Sequence, residues 1–226
     1  MKITHRFLII AAVFITCIIT ANVIAVKVIS IGPIVLPAAI IVFPLSYIFG
    51  DIITEVYGYH RARQVIWLAY GCNLLFVAFV WIAQVIPGAS FWENQQAYES
   101  ILGVVPRFLL ASFAGGIVGE FANSFVLSRM KVLTRGRWLW MRTIASTIIG
   151  QGLDTALFIV IAYYATPNFL PIMILYHWLA KTAVETLATP LTYLTVGHLK
   201  QKEEADAYDK AVNYNPFAIK EEKSWK

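Results

Sequence analysis

The chain has 226 residues, of which 59% are hydrophobic and only 14% charged. Globular domains carry about 25% charged residues, so this composition excludes an ordinary water-soluble domain and points to a chain that meets lipid. The net charge of +5 is confined to particular loops, which is a topology signal rather than a footprint for nucleic acid.

Taken in order, the chain offers six apolar segments near the ~20 residues needed to cross a bilayer. They run Phe7–Ile29, Pro37–Tyr57, Gln64–Ile86, Arg107–Leu127, Trp138–Ala165 and Pro171–Val196. The first exceeds the ~7–15 residues of a secretory signal core and reads as a retained span. Seven Trp and eleven Tyr suit membrane interfaces. The predicted fold class is all-α, a compact six-helix transmembrane bundle. Residues 1–198 form the transmembrane domain and 199–226 a charged tail, expected to be frayed and without a catalytic role.

Lys and Arg set the orientation. Lys2 and Arg6, Arg61 and Arg63, the group Arg129, Lys131, Arg135 and Arg137, and Lys200 with Lys202 all fall on one side of an even-numbered bundle. The alternate links are SIGPIVL, the long stretch from Pro87 to Val105, and TPNF, and they are poor in positive charge. Both termini are therefore expected in the cytoplasm. Lys27 and Arg107 are exceptions that snorkelling to the interface would explain. The link from Pro87 to Val105 carries Phe91, Trp92 and Tyr98 and suits a short interfacial segment or lid.

The second span holds Asp51 and Glu55, which share a helix face. An ionised carboxylate in hydrocarbon costs at least ~3 kcal/mol, so such residues are paired or used. Glu55 reads either as an interfacial acid paired with Arg61 or Arg63 or as part of a site. The fourth span has Glu120 and Asn123, with Ala111, Gly115 and Gly119 spaced for close helix approach. The fifth has Gln151 and Asp154 in GQGLDT, where irregular backbone would have to be buried or line a cavity. The sixth has His177, Lys181 and Glu185 at four-residue steps. The first has Asn22, whose amide can donate and accept. Pro44 and Pro190 are expected to kink their spans.

Lys181 is the deeply placed cation set against Asp51, Glu120, Asp154 and Glu185. Acids without a cation must be protonated, hydrated or bound to something. A set of carboxylates and amides drawn from five spans suits a flat polar ligand. Phe43, Tyr47, Phe121, Tyr176 and Tyr193 are candidates to stack on its ring or simply to pack. A simple ion pore should show charged rings or filter repeats, and none is visible. Cys17 and Cys72 sit at no metal-ligand spacing, so neither a disulfide framework nor a metal site is expected.

Four of these stretches, ANVIAVK at Ala21–Lys27, PAAIIVFPLSYIFGDIITEVYG at Pro37–Gly58, GQGLDT at Gly150–Thr155 and KTAVETLATPLTY at Lys181–Tyr193, resemble the queuosine precursor transporter family. That family of bacterial six-span proteins is also grouped with vitamin uptake transporters. The resemblance covers roughly residues 7 to 197. It implies inner-membrane uptake of a 7-deazaguanine base, either the cyano or aminomethyl precursor of queuosine or the base queuine. It implies no cofactor and no nucleic-acid partner, and it is compatible with a homodimer. Asp51, Asp154 and Glu185 would accept from the guanine-like edge, Gln151 or Asn22 would meet its carbonyl, and Lys181 would balance the acids or donate to the ligand. Glu55, Glu120 and His177 join the candidate site by placement.

Two rivals are weighed against this reading. One is a binding subunit of a larger energised importer, whose ATP use would be borrowed because the chain has no GxxxxGK[ST] loop. The other is an intramembrane enzyme, against which stands the absence of GxSxG and HExxH arrangements.

Overall fold

The computed structural model describes residues 4–24, 27–31, 34–103, 106–164, 171–203, 206–209 and 212–217. Its α-helices are α1 (His5–Ile24), α2 (Phe43–Ile52), α3 (Tyr59–Val85), α4 (Gln95–Ile101), α5 (Pro106–Leu133), α6 (Leu139–Tyr163) and α7 (Ile172–Glu203). The first predicted link is not a simple loop. Strands β1 (Val28–Ile31) and β2 (Ile34–Pro37) pair antiparallel, with Val28 opposite Pro37, so a short hairpin stands in the first link of a chain whose fold class is all-α. The link expected at 166–169 lies outside the described residues, as does the Arg107 side chain.

Four helical stretches among the described residues are long and apolar enough to cross a membrane: His5–Ile24, Tyr59–Val85, Leu110–Leu133 and Leu139–Ile161. Helix α3 shows how such a span is built. Ala62, Val65, Ile66, Ala69 and Asn73 face inward at three- and four-residue steps, while Leu68, Leu74, Leu75, Phe79 and Trp81 are exposed. So much outward apolar surface would be a liability in water and is ordinary against lipid.

The predicted second span is helical from Ala38 to Tyr57 apart from a turn at Val42, but it is not one α-helix. A 3₁₀ turn at Ala38–Ile41 leads into α2, which passes into a π-helical turn at Ile53–Tyr57. Pro44 sits in the first turn of α2, where its missing N–H costs nothing, so it starts the helix instead of kinking it. Gly58 ends the π turn at φ 85°, a left-handed value that favours glycine. The predicted sixth span becomes the 32-residue α7 with Pro190 inside it, and its polar face keeps it apart from the four apolar stretches.

The tail is not frayed over its described residues. The Ala207 N–H donates to the Val56 carbonyl (3.2 Å). Arg63 donates to the carbonyls of Asn213 and Asn215, each at 2.8 Å, and the Trp67 indole to that of Pro216 at 2.8 Å. Asp209 accepts from the Tyr59 backbone N–H (2.9 Å) and from the Ser128 hydroxyl. The Tyr214 ring packs on Tyr59 and Phe125. The tail thus straps α3 to α5 at the end of the bundle where α1 begins and α7 finishes, marked by the ion pair of Arg6 with Glu203.

Candidate functional site

Asp51 and Glu55 have opposite surroundings. Glu55, in the π turn, is 1% exposed and sits among three cations. Arg142 of α6 grips it with both terminal nitrogens, Lys200 of α7 lies 2.6 Å away and Lys131 of α5 3.5 Å. Asp206 of the tail closes the group through Lys200 (2.9 Å) and Lys131. Burial pushes the Asp206 carboxyl up, but hydrogen bonds from Lys131 and Lys200 outweigh this and hold it below the usual carboxylate range. The expected partners of Glu55 were Arg61 and Arg63. Instead Arg63 serves the tail, and Arg61 donates to Gln64.

One turn deeper, Asp51 is also 1% exposed. Its Oδ1 accepts from the Asn123 amide at 2.8 Å, and its Oδ2 makes no hydrogen bond among the described residues. Glu120, one turn before Asn123 on α5, is equally buried, and neither of its oxygens is paired. Gly50 lets it approach, since a Cβ there would stand 3.3 Å from Glu120 Oε2. The carbonyl oxygens of Asn123 and Gln151 are also buried and unpaired.

Close packing of α5 on α6 brings the rest together. A Cβ at Gly150 would meet Asn123 Cβ at 2.8 Å and the Gly119 carbonyl at 2.9 Å. A Cβ at Gly115 would meet the Asp154 carbonyl at 2.6 Å. The small residues of both helices thus place Glu120 and Asn123 beside Gln151 and Asp154. From α7, Glu185 accepts from Thr147 Oγ1 (2.6 Å) and Gln151 Nε2 (3.4 Å). Lys181 pairs with Asp154 at 2.7 Å and lies 4.3 Å above the Phe43 ring centroid.

The structure therefore gathers Asp51, Glu120, Gln151, Asp154, Lys181 and Glu185. Glu55 is held apart in the ion cluster. Asn22 is also apart: its Oδ1 accepts from Ser112 (2.6 Å), and it lines a cavity of about 380 Å³ with Gln84 and Trp81. His177 stands half-buried one turn before Lys181. Among the stacking candidates Tyr47 is buried, Phe43 lies under Lys181, Phe121 packs on Trp67, and Tyr176 is 60% exposed. Tyr193 accepts from the Trp140 N–H. Sequence reasoning missed Asn123 as the donor to Asp51, and Thr147 as the donor to Glu185. The amide was visible three residues after Glu120, but its partner lies 72 positions away. No group of three or more His, Cys, Asp or Glu among the described residues is placed to hold a metal ion.

A family model described as "Putative vitamin uptake transporter" matches residues 37–195. The chain belongs to this vitamin uptake transporter family. Three curated relatives match as well. The "Probable queuosine precursor transporter" of Bacillus subtilis is 32% identical over 148 residues, 63% of this chain and 64% of the relative. The "Queuosine precursor transporter" of Escherichia coli is 26% identical over 143 residues, 63% and 61% of the two chains. The "Probable queuosine precursor transporter" of Haemophilus influenzae is 28% identical over 139 residues, 60% and 54%. The chain thus spans under two thirds of the length of each. No solved structure matches.

The family match begins at the last residue of the strand that opens the broken second span and ends inside α7. It takes in Asp51, Glu120, Asn123, Gln151, Asp154, Lys181 and Glu185, and it leaves out α1 and the strapped tail. The family is one of transporters, which are not enzymes.

Proposed function

We propose that this transporter imports a queuosine precursor, a 7-deazaguanine base such as the cyano or aminomethyl precursor or queuine, across the bacterial inner membrane. It does so by alternating access around the cluster of Asp51, Glu120, Gln151, Asp154, Lys181 and Glu185. Six spans are assigned, with the broken second span and α7 counted beside the four apolar stretches, and the strapped end faces the cytoplasm.

The observation that carries this reading is the set of buried acceptors without donors: Asp51 Oδ2, both Glu120 oxygens, Asn123 Oδ1 and Gln151 Oε1. A buried polar group left unpaired is costly, and such a group in a membrane interior marks a pathway or binding site. A guanine-like edge presents a ring N–H and an exocyclic amine side by side, which these oxygens would accept. The names of the three relatives agree with that chemistry.

The test is uptake in a bacterium unable to make queuosine, reading tRNA queuosine with each precursor supplied. Queuosine should appear only when this chain is expressed. Loss of transport when the purified protein is placed alone in liposomes would favour an energised importer that needs a partner.

A further inference from the structure

One buried amide lies outside the cluster. Asn73, on the inward face of α3, is fully buried, and neither its nitrogen nor its oxygen makes a hydrogen bond among the described residues. A buried amide left wholly unpaired is costly, and an apolar residue of similar size would remove that cost. Polar groups kept at depth in a span mark substrate pathways.

The position of Asn73 along α3 shows which pathway. One turn towards the strapped end stands the buried Tyr70, whose hydroxyl would be 2.1 Å from a Cβ added at Gly116 of α5. Glu120 follows Gly116 by one more turn. One turn the other way stands Val77, which lines the cavity of about 380 Å³ with Asn22, Trp81 and Gln84. That cavity lies at the end away from the strap, where α1 finishes and the Gln95 amide of α4 donates to the Gln84 carbonyl (3.2 Å). Ser112, the donor to Asn22, is one turn from Gly116 on the same side. Asn73 therefore sits between the cavity and the unpaired oxygens of Glu120. The Tyr70 ring, packed on Phe113 at 5.5 Å between centroids, separates it from Glu120.

We propose that Asn73 is a binding station on the substrate's entry route, which runs from this cavity past Asn73 and Tyr70 to the cluster. A carboxamide carries donor and acceptor side by side. It suits the lactam edge of a flat ring, where a ring N–H stands beside a carbonyl. The Tyr70 ring must swing aside for the substrate to pass on to Glu120. This rests on the transport reading above and adds to it a residue outside the cluster.

The experiment measures the initial rate of uptake of radiolabelled 7-aminomethyl-7-deazaguanine by queuosine-deficient cells expressing the full chain, beside the melting temperature of each purified variant. Asn73→Leu should hold or raise the melting temperature, because it removes an unpaired buried amide. Its uptake at low substrate concentration should nonetheless fall about tenfold, the loss of one or two net hydrogen bonds. Wild-type-like uptake overturns the inference and leaves the transport reading standing. A lower melting temperature, with uptake falling only in proportion to folded protein, shows a structural amide and overturns it as well. No uptake by the wild-type chain overturns both readings. A second variant decides where Asn73→Leu does not accumulate: Asn73→Cys in a chain with Cys17 and Cys72 changed to Ala. A membrane-impermeant methanethiosulfonate added outside should block its uptake, and the precursor should slow that block. Transport untouched by the reagent overturns the inference.

Discussion

Asp51 and Glu55 stand one turn apart on the same broken span, are equally buried, and have opposite partners. Glu55 has Arg142, Lys131 and Lys200 around it, together with Asp206. Asp51 has one amide, and the neighbouring Glu120 has no hydrogen-bond partner among the described residues. A charge locked among cations gains rigidity and cannot answer a ligand without giving those contacts up. A carboxylate with a free oxygen can. The first arrangement ties the end of the bundle together, and under the proposed function the second receives the substrate.

The largest expected effect breaks the holding half. Arg142→Ala leaves Glu55 buried with a poorer set of cations, and severing a buried pair from one side costs about 3–5 kcal/mol. Thermal unfolding in detergent should show a large drop, or the protein should fail to accumulate. Glu120→Gln is the contrasting variant. It removes a carboxylate that no group among the described residues satisfies, so stability should hold or rise while precursor uptake is lost. Equal destabilisation by both changes would erase the distinction between the two acids.

The strap should come next. Ending the chain after Glu203 strips the carbonyl partners from Arg63, which is 2% exposed, and the carboxylate from the Tyr59 N–H. Each buried donor left unpaired costs about 1–3 kcal/mol. The truncated protein should unfold at lower temperature, though residues 37–195 of the family match remain. An unchanged unfolding temperature would return the tail to the frayed extension its composition suggests.

That misreading shows where legibility in the sequence ends. Hydropathy located the long helices, with ends displaced by up to seven residues, because lipid imposes length and apolarity on each segment by itself. The strap escaped because main-chain carbonyls of residues 213, 215 and 216 do the bonding, and carbonyls carry no side-chain signature. The three cations around Glu55 escaped for a related reason. They lie 76 to 145 positions away, whereas local spacing pointed to Arg61 and Arg63. The acid cluster was legible as an excess of negative groups, and Asp51, Glu120, Gln151, Asp154, Lys181 and Glu185 came together, whereas Glu55, matched to Asp51 by helix spacing, did not join them. Which amide would serve which acid was not legible, because that depends on how α2, α5, α6 and α7 meet.

A smaller effect sharpens the receiving half. Gly150→Val would push a side chain against Asn123 Cβ and the Gly119 carbonyl. Overpacking of this kind costs about 1–3 kcal/mol. It also displaces Asn123 from Asp51, so uptake should fall further than stability alone accounts for. The same change at Gly197, where nothing lies within 4 Å of an added Cβ, should leave uptake near normal.

The smallest expected effect is the pH response of the holding half. Asp206 has its folded carboxyl below the ordinary value of about 3.9. A depressed acid contributes stability that is fully present above its unfolded pKa and is lost as pH falls through the folded one. The contribution of Asp206 should therefore be constant from neutral pH down to about pH 4 and fade below it. Its side chain is 44% exposed, so solvent screening keeps the whole effect under about 1 kcal/mol. Unfolding temperature measured against pH should be slightly steeper below about pH 4 for the natural chain than for Asp206→Asn. Identical slopes would mean that Lys131 and Lys200 are held by Glu55 alone, leaving the tail fixed by its carbonyls and by Asp209.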